Sequence, residues 1–160
     1  MRESFPSNVR LSQIRGITKV LNEFSGPVEI SRLSSETNEE VDDLLPIINA
    51  SRMLGLLKLS NGSVKLTKTG QDLARTTSID LIKNKLKQIE PFKTALSAAR
   101  SEESISTQEL IKKLESEGFL IYRGEIGRHD LVELLLNFGV RCDLLEYDRS
   151  KNVWELKKKI

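Results

Sequence analysis

His129 and Cys142, the single histidine and the single cysteine of this chain, are its residues best suited to nucleophilic or metal chemistry. A thiolate beside an imidazole can attack a carbonyl, but it needs a third group to orient the base and a pocket to hold the substrate. The two lie thirteen residues apart with no third partner in the sequence around them. Neither a closed zinc site nor a pair of histidine ligands can be assembled from them. Cys142 reads as a small, partly buried apolar residue and His129 as a polar residue at a helix start. There is no G-x-x-x-x-G-K-[S/T] phosphate loop, no G-x-G-x-x-G turn after a strand and no G-x-S-x-G elbow. The expectation is a non-enzymatic protein with no cofactor and no metal.

Charge offers two further clusters. Glu39, Glu40, Asp42 and Asp43 follow closely on Glu36, and no lysine or arginine lies between Arg32 and Arg52. Arg123, Arg128 and His129 form a looser basic group, with Arg149 and Lys151 further on; Glu125, Asp130, Glu133 and Asp148 are interspersed among them. Over the whole chain 25 basic and 23 acidic residues leave a net charge of +2. No global field of that size draws a protein onto nucleic acid or membrane.

The elements that must position these clusters follow from apolar spacing. Leu11, Ile14, Ile17, Leu21 and Phe24 recur at helical steps, ended by Ser25-Gly26-Pro27. Pro27 to Ile30 reads as a short strand, and Ile30 and Leu33 as a brief helix breaking at Ser34-Ser35. Thr37 and Glu40 have the spacing of a capping box. The helix after them carries Val41, Leu44, Leu45 and Ile48, with a kink or restart expected at Pro46 and an exit at Gly55. Leu57 and Leu59, then Val64 and Leu66, alternate with polar residues across Asn61-Gly62, the signature of a tight hairpin. Thr67 caps a short helix through Leu73.

The second half repeats the order. A helix from Ser78 carries Ile79, Ile82, Leu86 and Ile89 to Pro91, and a shorter one carries Phe92, Ala95, Leu96 and Ala99. Arg100 to Ile105 reads as a polar turn. Ser106 and Glu109 form a second capping box ahead of Leu110, Ile111 and Leu114. A further helix through Leu131, Leu134, Leu135 and Phe138 is expected to end at Gly139. Strands at Leu144–Tyr147 and Val153–Leu156 follow, and Lys157-Lys158-Lys159 is a solvated end. The expected class is mostly α with small β-hairpins (α+β): tandem winged-helix domains at 1–77 and 78–160, the second including linker helices. Without a signal-type or membrane-spanning apolar run, the expected address is the cytoplasm, with no membrane insertion.

In a winged-helix DNA reader the third helix enters the major groove, and cationic contacts to phosphate dominate affinity. The leading residues of that helix in the first half are acidic and would repel a duplex. They fit protein binding, by Glu39, Glu40, Asp42 and Asp43. The alternative is a DNA-binding transcriptional regulator, as a monomer or a homodimer, using Arg123, Arg128, His129, Arg149 and Lys151 of the second half.

Two stretches carry a family resemblance. VDDLLPIINASRMLGLLKLSNGSVKLTKTGQDLA, Val41 to Ala74, resembles the part of the AAA-associated C-terminal domain where an acidic-led helix passes a proline into an LGL exit and runs through a hairpin into LT-x-x-G. FGVRCDLLEYD, Phe138 to Asp148, resembles that domain's closing element, with Phe138 where tryptophan is usual and Cys142 where tyrosine is common. The resemblance implies an accessory or regulatory domain of the kind fused behind the ATP-binding subunit of nitrate/sulfonate/taurine-type ABC transporters, chiefly in archaea and some bacteria. Here it is expected to act without the ATPase part, with an ABC-type ATPase as candidate partner. It implies no catalytic residues.

Overall fold

Eight α-helices and two antiparallel three-stranded sheets make up the computed structural model, which describes residues 3–158. This is the mostly helical α+β class expected from the apolar spacing. The chain divides into two units: Asn8–Leu81, and the residues from Ile82 onward together with the N-terminal segment through Ser7.

The first unit runs α1 (Leu11–Leu21), β1 (Val28–Glu29), α2 (Ile30–Thr37), α3 (Val41–Met53), β2 (Leu57–Ser60), β3 (Ser63–Leu66) and α4 (Lys68–Ala74). Ile14, Ile17 and Leu21 are buried on α1, which packs against α3 and α4. In the sheet, ordered β1-β3-β2, Val28 faces Val64 and Leu57 faces Leu66. Asn61 and Gly62 both take positive φ, 51° and 77°, as a two-residue hairpin with the right-handed twist of its strands requires.

Three local expectations are corrected. Thr37 does not box with Glu40: its hydroxyl donates back to the Leu33 carbonyl at 2.7 Å, so α2 continues through Ser34-Ser35 and ends at left-handed Asn38 (φ 57°). Thr37 lies within α2 and the N-cap of α3 is Glu40, so the hydroxyl stands three residues before the position from which it could cap that helix. α3 passes Pro46 without interruption. The ring removes only the bond to the Asp42 carbonyl, which sits in an exposed first turn where water can replace it. Finally, α1 stops at Leu21, before Gly26-Pro27.

One latch joins the exit of α3 to the entry of α4. Gly55 (φ 74°) turns the chain out of α3, and the Thr67 hydroxyl donates to its carbonyl at 2.6 Å. The same oxygen accepts the Gly70 amide at 3.1 Å, capping α4, while the Thr67 amide donates to the Leu56 carbonyl at 3.0 Å. Gly70 presses on that carbonyl so closely that a Cβ would stand 2.0 Å from its oxygen.

α5 (Asp80–Leu86) leads into the second unit, which continues α6 (Phe92–Glu102), β4 (Ile105–Ser106), α7 (Thr107–Ser116), α8 (Gly124–Leu134), β5 (Leu145–Asp148) and β6 (Val153–Leu156). The order helix, strand, two helices, hairpin matches that of the first unit, and the sheet order β4-β6-β5 corresponds as well. The Ser106–Glu109 capping box forms in both directions, at 3.1 and 3.4 Å. Arg100 is not in a polar turn; α6 runs past it to Glu102 and is ended by Glu103 (φ 66°). Nor does Gly139 stop the chain: after α8 it winds on as a π-helical segment, Leu135–Val140, with the left-handed exit at Asp143 (φ 58°). Gly139 is instead buried against the Leu145 side chain.

Trp154 fills this core: fully buried, it meets the Tyr147 ring at 4.5 Å between centroids, tilted by 47°, and its indole donates to the Thr107 hydroxyl at 2.9 Å. Of the basic tail, Lys157 pairs with Glu146 at 3.5 Å, and Lys159 lies outside the described residues. Tyr122 is 1% exposed, and among the described residues its hydroxyl has no partner with hydrogen-bond geometry. Burial pushes its phenol up to about 12; the nearby Ser4 side chain tempers the shift, and the charges of Glu90 and Asp130 add to it. Because the folded value is raised above the usual 10.0, the contribution is whole below pH 10 and is lost as pH rises through about 12. Its full size is about 3 kcal/mol. Tyr122→Phe is expected to remove that alkaline loss and to leave neutral-pH stability unchanged or raised, since no hydrogen bond is broken. Urea unfolding of both proteins at neutral pH and near pH 11 checks this.

Candidate functional site

The acidic cluster sits at one corner of the first unit. Asn38 closes α2 in the left-handed region, the Ser34 hydroxyl donates to the Glu39 carbonyl, and Glu40 occupies the N-cap of α3 without using its side chain as a cap. Glu39, Glu40, Asp42 and Asp43 are consequently all exposed, and no basic group lies within 4.0 Å of them among the described residues. Asp42 and Asp43 in the first turn complement the helix dipole, which holds this charge in place. Val41 and Leu45, one turn apart on α3, are also exposed, at 39% and 44%. Beside them is a cleft of about 260 Å³ with Ile17, Val20, Leu44 and Ile47 in its walls and Glu39 at its edge. Carboxylates around exposed apolar side chains and a small apolar cleft suit a partner surface with a cation and an apolar anchor.

The five basic candidates lie on two elements of the second unit. Arg123, the N-cap of α8, is already held by Glu115 at 3.1 Å. Arg128 and His129 are exposed in the next turn, where His129 stands 4.0 Å from Glu133. Arg149 and Lys151 are exposed on the β5–β6 turn. That turn is built around Asp148, whose carboxylate accepts from the Ser150 hydroxyl (2.7 Å), the Ser150 amide (3.0 Å) and the Lys151 amide (3.2 Å). The Ser150 hydroxyl bond, then the Lys151 amide, holds the Asp148 carboxyl below the usual range. The cations therefore flank a fixed negative charge. Near the start of α8, Leu120, Ile121 and Ile126 are exposed, Ile126 at 80%. His129 and Cys142 do not meet as a catalytic pair: the thiol is fully buried, whereas the imidazole is 71% exposed.

Sequence spacing did not reveal a groove of about 970 Å³ on the second unit. Its lining carries the cations Lys83, Lys87, Lys93, Arg100, Lys157 and Lys158 over Leu96, Leu144 and Leu156, with Asp143 as the one carboxylate among the described residues there. A signal existed in the helical spacing of Lys83 with Lys87 and of Lys93 with Arg100. Neighbouring acids masked it. Glu90 and Glu102 cancel the charge along the chain, yet the fold sends both elsewhere: Glu90 is buried against Thr94 (2.6 and 2.8 Å), and Glu102 pairs with Lys113 at 2.9 Å.

Among the described residues no group of three histidine, cysteine, aspartate or glutamate side chains could hold a metal ion, and no helix is long and apolar enough to cross a membrane. The chain is thus an α+β protein of two like-ordered units whose distinctive charged residues lie on open surfaces. It belongs to the family of the C-terminal AAA-associated domain, whose sequence model matches residues 31–148. No curated protein and no solved structure matches the chain. The matched segment takes in the Gly55–Thr67–Gly70 latch and the segment around Gly139.

Proposed function

We propose that this protein is a non-enzymatic accessory or regulatory module of two winged-helix domains, 1–77 and 78–160, that binds a protein partner through the start of α3. An ABC-type ATPase is the foremost candidate, and the cytoplasm is the compartment in which the two would meet. Membership of the AAA-associated family supports the accessory role. The helix–strand–helix–helix–hairpin order of both units supports the winged-helix assignment. The docking surface rests on one observation: four exposed carboxylates surround Val41 and Leu45 at the place where a DNA reader of this plan would be cationic.

Capture of an ABC-type ATPase by the full chain, compared with the Glu39→Lys, Glu40→Lys, Asp42→Lys, Asp43→Lys variant, tests this reading. Reversal sets like charges against the partner and is expected to weaken binding by about tenfold or more. Capture that is unchanged by the reversal removes the assigned surface.

DNA binding by the second unit is the weaker reading. Arg128, Arg149 and Lys151 are exposed and have no carboxylate within 4.0 Å among the described residues, but Arg123 is engaged and Ile126 projects beside them. Duplex binding that falls steeply with salt and is abolished by Arg128→Ala with Arg149→Ala would establish it. Absence of binding at low salt removes it.

A further inference from the structure

The cationic groove of the second unit has no part in the reading above. Four separate stretches build it, one of them Asp143 and Leu144 in the turn before β5. Lys83 comes from α5, with Lys87 in the turn that follows. Lys93, Leu96, Ser97 and Arg100 stand at i, i+3, i+4 and i+7 of α6, one face of that helix. Leu156, Lys157 and Lys158 leave the end of β6. Lys157 is tied to Glu146, but no carboxylate lies within 4.0 Å of the other five cations among the described residues. The floor is leucine: Leu96 and Leu144 are buried there at 8% and 6% exposure, and Leu156 is half-buried.

We infer that this groove is a second docking site, which takes an acidic amphipathic helix from a partner protein. Unpaired like charges around a concave, low-dielectric surface concentrate potential and select an anionic occupant. A leucine floor requires that the occupant also present an apolar stripe, and an amphipathic helix laid in a groove meets both conditions.

Other anionic macromolecules fit less well. Single-stranded nucleic acid is held by aromatic stacking as well as charge, and no aromatic residue lines the groove. A bilayer is engaged by apolar side chains that project into it, whereas Leu96 and Leu144 are recessed.

The test uses the full chain and a fluorescein-labelled helical peptide of about four turns, with leucines at i, i+3, i+4 and i+7 and glutamates elsewhere, followed by anisotropy. Lys93 and Arg100 are exposed, so Lys93→Glu with Arg100→Glu is expected to keep the fold, monitored by Trp154 fluorescence. Binding to that variant is expected to be weaker by about tenfold or more. A peptide with serine in place of leucine is expected not to bind, and reversal at Glu39, Glu40, Asp42 and Asp43 to leave binding of the leucine peptide unchanged. Equal binding by wild-type and Lys93/Arg100 variants overturns the inference. So does equal binding of leucine and serine peptides, or displacement of the peptide by a DNA oligonucleotide or anionic vesicles that bind the groove more tightly.

Discussion

Gly70→Ala is expected to destabilise the N-terminal unit by about 3 kcal/mol, while Gly16→Ala, in the same unit, is expected to stabilise it by about 0.5–1 kcal/mol. Both glycines are helical, so both substitutions gain the same intrinsic preference. They differ in what the new methyl meets. At Gly16 nothing stands within 4 Å, whereas at Gly70 the methyl would lie 2.0 Å from the Leu56 carbonyl oxygen and 2.9 Å from a Leu66 methyl. The leucine tip can rotate away, but the carbonyl cannot move freely, because it accepts the Thr67 amide at 3.0 Å and Thr67 also anchors Gly55 and caps α4. Relieving the clash therefore pulls on every bond of the latch. Urea unfolding by far-UV circular dichroism gives the two signs, and faster amide exchange in α3 and α4 of the Gly70 variant places the effect. Should Gly70→Ala prove neutral, the close approach of α4 to Leu56 is not as described.

The latch also shows which features sequence reasoning reaches. Asn61-Gly62, the Ser106–Glu109 box, the Thr67 cap and the Ile14–Ile17–Leu21 face are local: residues a few positions apart decide each one. The acidic start of α3 was legible for the same reason, being one run of adjacent residues. Thr37 misled because its hydroxyl could either accept the Glu40 amide as a cap or donate to a carbonyl of its own helix, and spacing alone does not say that the Leu33 carbonyl wins. β4 was missed because two residues, Ile105 and Ser106, are too short for an alternation, and only pairing with Trp154 and Val153 defines them as a strand. The basic groove was invisible because it is assembled from α5, α6, the Asp143–Leu144 turn and the end of β6, while Glu90 is taken up by Thr94 four residues on and Glu102 by Lys113. Charge counted along a chain cannot register which face each carboxylate will occupy.

The N-terminal segment is the extreme of that difficulty, and it carries a large expected effect. A single aromatic, Phe5, has no periodicity to announce it. It is nonetheless 1% exposed and sits edge-on to Phe138 at 4.8 Å and to Phe92 at 5.7 Å, with its amide donating to the Glu90 carbonyl at 2.8 Å. Phe5→Ala is expected to cost the C-terminal unit about 3–5 kcal/mol, the range for emptying a ring-sized site in a packed core. Phe5→Leu should cost clearly less, because it keeps most of the apolar volume and loses mainly the edge-to-face geometry, worth about 0.5–1.5 kcal/mol per pair. Trp154 is the only tryptophan of the chain and lies in the same unit, so its fluorescence during urea unfolding reports the affected core. A dispensable leader would leave that transition in place in both variants. A core residue supplied by the N-terminal segment moves it to lower urea in the order Phe, Leu, Ala, because a buried ring far from its neighbours in sequence is held by the same contacts that define the unit.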